Sequence, residues 1–331
     1  MTAAGVGVLV ETDGHGATLV SREALTFARE LAGGQPVHAV VVGPLDADVE
    51  DALLPQLGEQ GVAMLHHATA DGLGAYSAAA WAAAAVDVVT RASVRALLAA
   101  GTPRGNEVMA HAAVRLGVAM AANVVAADGV DPLVVSRQVV GGTVLEEMRL
   151  DDAVAVLSVA GHALDPAPAA SPTEPEVTAF TPTLSEADLV ARVVRTEVGA
   201  PDESAALGSA RVVVGAGRGA GSADGFKDLV SLTELLGGVL GVSRVVTSLG
   251  WRPHHEQVGQ TGSRIAPDIY IPCGISGAIQ HWAGCSSAKT ILAINTDSEA
   301  PMVTRAHYAV IGDLHEIVPA INDEILRRRR G

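Results

Sequence analysis

Aromatic residues are scarce in this chain, with three Trp, three Tyr and three Phe among 331 residues. So few rings exclude the stacking platforms on which single-stranded nucleic acids are bound. Positive charge is short as well: 22 Lys and Arg stand against 37 Asp and Glu, a formal charge of −15. That balance argues against nucleic acid or an anionic membrane surface as a partner. Cys273 and Cys285 are the two cysteines, too few for a disulfide framework, and among small residues they read as buried hydrophobes. The apolar run Ala78–Val86 falls far short of the roughly 20 residues that a membrane-spanning helix needs. Gly5–Val10 has no basic residue before it and Glu11 directly after it, so it reads as a first strand and not as a signal peptide. A cytoplasmic protein without membrane insertion is the expectation.

What is present is ample material for cores. Apolar residues make up 49%, charged residues 18%, and the mean hydropathy is +0.32, which excludes a mostly disordered chain. The length favours two domains. Charge is divided unevenly between them: residues 1–207 hold 26 acidic and 10 basic side chains, residues 208–331 hold 11 and 12. An anionic ligand is therefore expected in the second part, where Arg218, Arg244 and Arg264 lie in Gly-rich surroundings.

Short apolar runs alternate with helical patterns in the first part. Gly5–Val10, Val37–Val42, Val62–Leu65, Arg95–Leu98 and Ala122–Ala126 read as strands buried on both faces. Ser21 is expected to cap a helix carrying Ala24, Leu25, Ala28 and Leu31, which Gly33-Gly34 ends. The rhythm predicts an α/β fold, with an N-terminal mostly parallel sheet and helices on both faces. Leu133–Arg137, Thr143–Met148 and Ala153–Val159 follow with short turns only and predict antiparallel additions at an edge. Ala163–Thr183 holds five prolines and reads as a surface connection. Val190–Val198 is one more strand candidate. Gly199–Ser209 reads as the boundary, which divides the chain into domains 1–207 and 208–331.

A second α/β rhythm then begins. Strand Arg211–Val214 leads through Gly215, Gly217, Gly219 and Gly221 into a helix over Asp224–Leu236. Ser243–Val246, Ile269–Pro272, Thr290–Ile294 and Ala309–Ile311 are further strand candidates, with helices from Ser276 and Leu314. The expectation is a doubly wound parallel sheet, whose ligands bind at the carboxyl ends of the strands. Gly215–Gly219 is either a phosphate cradle or a tight turn. No acidic residue follows in Val245–Ser248, which disfavours ordinary NAD binding. Gly274–His281 offers a glycine, a capping Ser276 and small residues that let a phosphate approach. Val258–Gly262 is a loop of hydrogen-bonding side chains between glycines, and Asn295 and Asp313 end the last two strands. His254-His255 are adjacent, point apart and read as solvated loop residues. Arg327–Arg330 reads as a frayed tail.

Taken in order, VVVGAGRGAGS, GVSR, EQVGQTG, IAPDIYI, CGISGAIQHWAG, ILAINTDSEAP and IGDLHEIVP resemble the FAD-binding domain of electron-transfer flavoprotein alpha subunits. The resemblance covers residues 208–327 closely. Over residues 1–200 it is looser, resting on the opening strand and on TPRGNEVMAHAAVRLGVAMAANVV. It implies FAD as cofactor and assigns roles to matching positions. Ser243 would face the diphosphate and Arg244 the isoalloxazine ring. Val258, Gly259, Gln260 and Thr261 would form the loop from which Thr261 reaches flavin N5/O4. Ser276, Gly277, Ala278, Ile279 and Gln280 would hold the diphosphate and ribityl chain, with His281 near flavin O2. Arg218, Asn295, Asp313 and Leu314 would contact the diphosphate and adenosine half.

The family resemblance further implies an electron carrier and not an enzyme with its own substrate. It implies a heterodimer with a beta subunit, electrons accepted from flavin dehydrogenases such as the acyl-CoA dehydrogenases of fatty acid beta-oxidation, and a quinone-linked oxidoreductase as acceptor. A bifurcating or nitrogen-fixation type subunit is the alternative within the family. Outside it stand a free-standing FAD-dependent oxidoreductase, which would need an acid or base that is not evident, and a partner-binding protein that has lost its cofactor. Neither a nucleophile with its base nor a metal site emerges from the spacing.

Overall fold

The structure is a computed structural model, which describes residues 5–129, 132–140, 144–161, 163–195, 207–208 and 210–330. It divides into two compact units, Met1–Val139 with Val144–Thr196 and Val140–Thr143 with Glu197–Gly331.

The first unit runs β1 (Val6–Leu9), β2 (Thr12–Asp13), β3 (Gly16–Ala17), α1 (Leu19–Ala32), β4 (Val37–Val42), α2 (Ala47–Glu59), β5 (Val62–Ala68), α3 (Ala78–Arg91), β6 (Ala96–Ala100), α4 (Pro103–Leu116), β7 (Met120–Asp128), β8 (Leu133–Val139), β9 (Val144–Leu150), β10 (Ala155–Val159) and β11 (Glu176–Phe180). Nine strands form one sheet in the order β11-β5-β4-β1-β6-β10-β7-β8-β9. Leu25, Leu53 and Leu57 of α1 and α2 pack on one face, and α3 and α4 carry Val88, Val108 and Met109 into a separate core on the other. Such two-sided cover explains why β1, β4, β6 and β10 are buried throughout.

Four expectations are corrected here. Ala153–Val159 is not part of an antiparallel edge: β10 lies between β6 and β7 and is parallel to both, while β8 and β9 alone are antiparallel. Its five buried residues already mark it as an interior strand. Ser21 does not cap α1. Thr18 does, its hydroxyl accepting from the Ser21 N–H, and Gly33 ends the helix in the left-handed conformation as expected. The Pro-rich segment contains β11, paired in parallel with β5; an edge strand tolerates flanking prolines. The Val190–Val198 strand is absent over its described residues 190–195, which follow the 3₁₀ turn Glu186–Leu189 without regular structure.

The second unit contains β12 (Val212–Ala216), α5 (Lys227–Leu236), β13 (Val239–Val242), α6 (Arg244–Ser248), β14 (Ile269–Cys273), α7 (Ile279–Trp282), β15 (Thr290–Asn295), α8 (Pro301–Thr304), β16 (Tyr308–Ile311) and α9 (Leu314–Arg330). All five strands are parallel, in the order β13-β12-β14-β15-β16. Winding therefore reverses at β12, the point where ligands of this architecture bind. Phe226, Leu229 and Leu232 join Leu314 and Val318 in the core on one face. Leu207, Val258, Tyr270 and Ile275 belong to the core on the other.

Here Ser243–Val246 is not a strand. The strand is β13, and Ser243 is the residue before helix α6. Of Val245 and Val246 only the second is buried, as one helical turn requires. The helix expected from Ser276 begins at Ile279 and spans one turn, with Ala278 in the cap position. Arg327–Arg330 is no frayed tail: α9 continues to Arg330, Arg327 and Arg328 pair with Glu324, and Arg329 donates to the Leu235 carbonyl. Gly199–Ser209 lies outside the described residues apart from Leu207 and Gly208.

Candidate functional site

At the carboxyl edge of the second sheet lies a cleft of about 550 Å³. Every strand contributes to it: Arg218 follows β12, Ser243 follows β13, Ser276 follows β14, Asn295 ends β15, and Asp313 with Leu314 follows β16. Six of the sequence-predicted residues thus share one concavity, though they span almost a hundred positions of chain.

Local chemistry explains each placement. The glycine run after β12 acts first as a packing device. The Gly217 and Gly219 N–H groups donate to the Cys273 and Gly274 carbonyls at 3.0 and 3.2 Å. A Cβ on Gly217 would stand 2.1 Å from the Gly274 oxygen. Glycine there lets the turns after β12 and β14 touch through their backbones. Arg218 is left exposed at the mouth of the cleft.

The segment after β14 differs from the glycine run. Among the described residues, nothing accepts from the N–H groups of Ser276, Gly277, Ala278, Ile279 and Gln280. Gly277 has φ +77, and a Cβ there would meet the Met302 N at 2.5 Å. The Ser276 carbonyl in turn accepts from that Met302 N–H. Consecutive unpaired N–H groups form a concavity of partial positive charge suited to an anion.

Ser243 is 9% exposed and its Oγ is buried without a partner. A buried unpaired hydroxyl is costly, and a ligand oxygen in the cleft would satisfy it. Arg244, next to it, is exposed. Among the described residues neither Arg218 nor Arg244 has an acidic partner within ion-pair distance. Asn295 spends both ends of its amide internally, donating to the Ile275 carbonyl and accepting from the Asp297 N–H. Asp313 accepts from the His315 N–H and so caps α9. Leu314 is buried, its side chain against Gly219 and Gly274.

The remaining predicted residues form a second group outside the cleft lining. The loop Val258–Thr261 is bound to helix α7, with the Gln260 N–H donating to the Gln280 carbonyl at 2.7 Å. Gly259 has φ +141 and stands so close to Gln280 that a Cβ would lie 2.9 Å from its carbonyl oxygen. Gln260, Thr261 and Ile279 are exposed, whereas Val258 is buried. His281 is 7% exposed, and its Nε2 lies 2.8 Å from the hydroxyl of fully buried Tyr270. Burial pushes its pKa down to about 4, with the Val258 backbone opposing the shift, so the imidazole is neutral near pH 7. Burial also pushes the Cys273 and Cys285 thiols up to about 12, which leaves them inert hydrophobes.

Sequence reading missed Gln257 and Tyr270, the buried residues that hold Thr261 and His281. Both lie inside the motif segments, but only the spatial contact reveals their work. Among the described residues no cluster of His, Cys, Asp and Glu could hold a metal ion, and no helix is long and apolar enough to cross a membrane.

A doubly wound sheet, a cleft at its reversal point, a run of unpaired N–H groups and arginines without an acidic partner among the described residues mark a fold suited to an anionic dinucleotide. Profiles of two families match the chain: electron transfer flavoprotein domain over residues 6–185 and electron transfer flavoprotein FAD-binding domain over residues 206–286. The chain is 35% identical over 324 residues to electron transfer flavoprotein subunit alpha of Mycobacterium leprae, covering 97% of this chain and 98% of that protein. To the subunit of the same name from Syntrophomonas wolfei it is 32% identical over 337 residues, with 97% and 99% covered. A Bacillus subtilis subunit alpha matches at 47% over 118 residues, 36% of each chain. The chain belongs to the electron transfer flavoprotein alpha subunit family, and its cofactor is FAD.

Proposed function

We propose that this chain is the FAD-binding half of a heterodimeric electron carrier, completed by a beta subunit of the same family. FAD, when bound, supplies reversible one-electron chemistry. In this reading Ser243 and the N–H groups of Ser276, Gly277, Ala278, Ile279 and Gln280 hold the diphosphate and ribityl chain. Arg218, Asn295, Asp313 and Leu314 line the adenosine half. Arg244, Val258, Gly259, Gln260, Thr261 and His281 surround the flavin ring. The observation that carries it is the unpaired Ser243 hydroxyl beside a run of unpaired N–H groups and free arginines. A dinucleotide diphosphate has the charge and the acceptors to satisfy all of them.

Electrons would come from flavin dehydrogenases, such as the acyl-CoA dehydrogenases of beta-oxidation, and leave to a quinone-linked oxidoreductase in the cytoplasm. The chain would make no bond in a substrate of its own. The domain division that goes with this reading is 1–207 and 208–331, the nearly neutral second part carrying the anionic cofactor. Coexpression with the family's beta subunit should yield a yellow 1:1 complex, with flavin absorbance that persists through gel filtration. A stable complex that stays colourless after FAD addition would overturn the reading.

A further inference from the structure

Gln257 is buried to 2% exposure at the end of β13, where it forms an isolated bridge with Val242. A buried primary amide needs a partner at each end. Its Nε2 donates to Thr261 Oγ1 at 3.0 Å, and its Oε1 accepts from Thr247 Oγ1 at 2.6 Å. Its backbone carbonyl accepts from the Ser263 N–H at 2.7 Å. The two threonines belong to different parts of the site: Thr261 to the exposed loop, Thr247 to helix α6, which starts at Arg244. Thr247 Oγ1 also lies 2.9 Å from the Arg244 carbonyl, so its one proton is shared between two acceptors.

A hydroxyl has a single proton to give. Because Gln257 occupies a lone pair of Thr261 Oγ1 with an N–H, and among the described residues nothing accepts the Thr261 proton, that proton is free on an exposed side chain. The opposite amide orientation would place Oε1 on Thr261 and draw the proton inward. The distances favour the first orientation: 2.6 Å to Thr247 suits an O–H···O bond and is short for N–H···O, whereas 3.0 Å to Thr261 suits N–H···O.

We propose that Gln257 is a positioning residue for the flavin: its amide fixes Thr261 as an outward proton donor to the ring and ties that donor to the backbone that carries Arg244. The proposal rests on the reading in which Thr261 faces the flavin. A hydrogen-bond donor held at the ring favours added negative charge there, so losing it lowers the affinity for the first electron.

The test uses the FAD-loaded heterodimer and a double-mutant cycle on the first-electron midpoint potential, with melting followed by circular dichroism. Thr261→Val and Gln257→Leu should each weaken the first-electron equilibrium by about tenfold, about 59 mV for one electron. In the Thr261→Val background, Gln257→Leu should have no further effect on the potential. Gln257→Met provides the same comparison at matched length should the Leu variant not fold. Two results overturn the proposal: a Gln257 variant with an unchanged potential while Thr261→Val shifts it, or a Gln257 shift equally large in both backgrounds, which marks a structural role. A wild-type complex that binds no FAD overturns the reading of the whole site, and is recognised before any variant is made.

Discussion

Arg244 and His281 flank the proposed flavin position in opposite electrostatic states. Arg244 is exposed, without an acidic partner among the described residues, and always charged. His281 is buried on the Tyr270 hydroxyl with its pKa near 4, so at neutral pH it offers hydrogen bonding without charge. The fixed cation that favours an added electron is therefore Arg244. A screened charge pair of this kind is worth about 1 kcal/mol, roughly 40 mV in a one-electron potential. Arg244→Ala should lower the first-electron potential by that much or more, while His281→Ala should shift it less. Spectroelectrochemical titration of both complexes checks the order, and a larger effect at His281 would place the working charge there. At this scale the sequence points to residues that would act through their own side chains, and the structure places one of them, Ser243, in the cleft. The sequence was silent on Gln257 and Tyr270, whose roles exist only as contacts between segments.

Elements were legible where their signals are local. The Val37–Val42 run is the observed strand residue for residue, and Gly33 and the helix from Leu314 lie where expected. The errors have a common cause. Strand β13 is four residues long with a glycine inside it and follows Gly237-Gly238, so the stronger-looking Ser243–Val246 was read in its place. The position of β10 between β6 and β7 depends on long-range pairing that no run of residues encodes. The glycine turn after β12 shows the same limit, because its spacing fits a phosphate cradle while its Gly217 and Gly219 N–H groups are already spent on the Cys273 and Gly274 carbonyls. Gly217→Ala should consequently damage folding and not simply ligand contact. With a Cβ 2.1 Å from a backbone oxygen, overpacking should cost about 1–3 kcal/mol or more. Thermal melting of the FAD-free chain measures this, and an unchanged midpoint would return the turn to the ligand.

At the scale of the molecule, each unit keeps buried imidazoles neutral, and this makes both units sensitive to mild acid. In the first unit His38 Nδ1 and His66 Nε2 lie 3.1 Å apart, at 9% and 4% exposure. Burial lowers both pKa values, that of His66 to about 4 with His38 and Arg91 adding to the effect. In the second unit His281 is lowered to about 4, mainly by burial. An unfolded imidazole binds its proton near pH 6.5, so between about 6.5 and 4 the unfolded chain holds protons that the fold refuses. Stability present above pH 6.5 is lost as pH falls, by up to about 1.4 kcal/mol per pH unit for each of His66 and His281, with His38 acting in the same direction. Glu11 of the first unit, its carboxyl raised mainly by burial, binds a proton more readily folded than unfolded and so opposes part of this loss. Tryptophan fluorescence separates the units, since Trp81 lies in the first and Trp251 and Trp282 in the second. A chain retaining only Trp81 should show a melting midpoint that falls between pH 6.5 and 4.5. His66→Gln should flatten that fall, yet leave unaltered the fall reported by a chain retaining only Trp251 and Trp282. A Trp81 midpoint that stays constant down to pH 4.5 would mean that the His38–His66 pair accepts a proton in place, for instance by sharing it across the 3.1 Å contact, and would remove these two residues from the acid response.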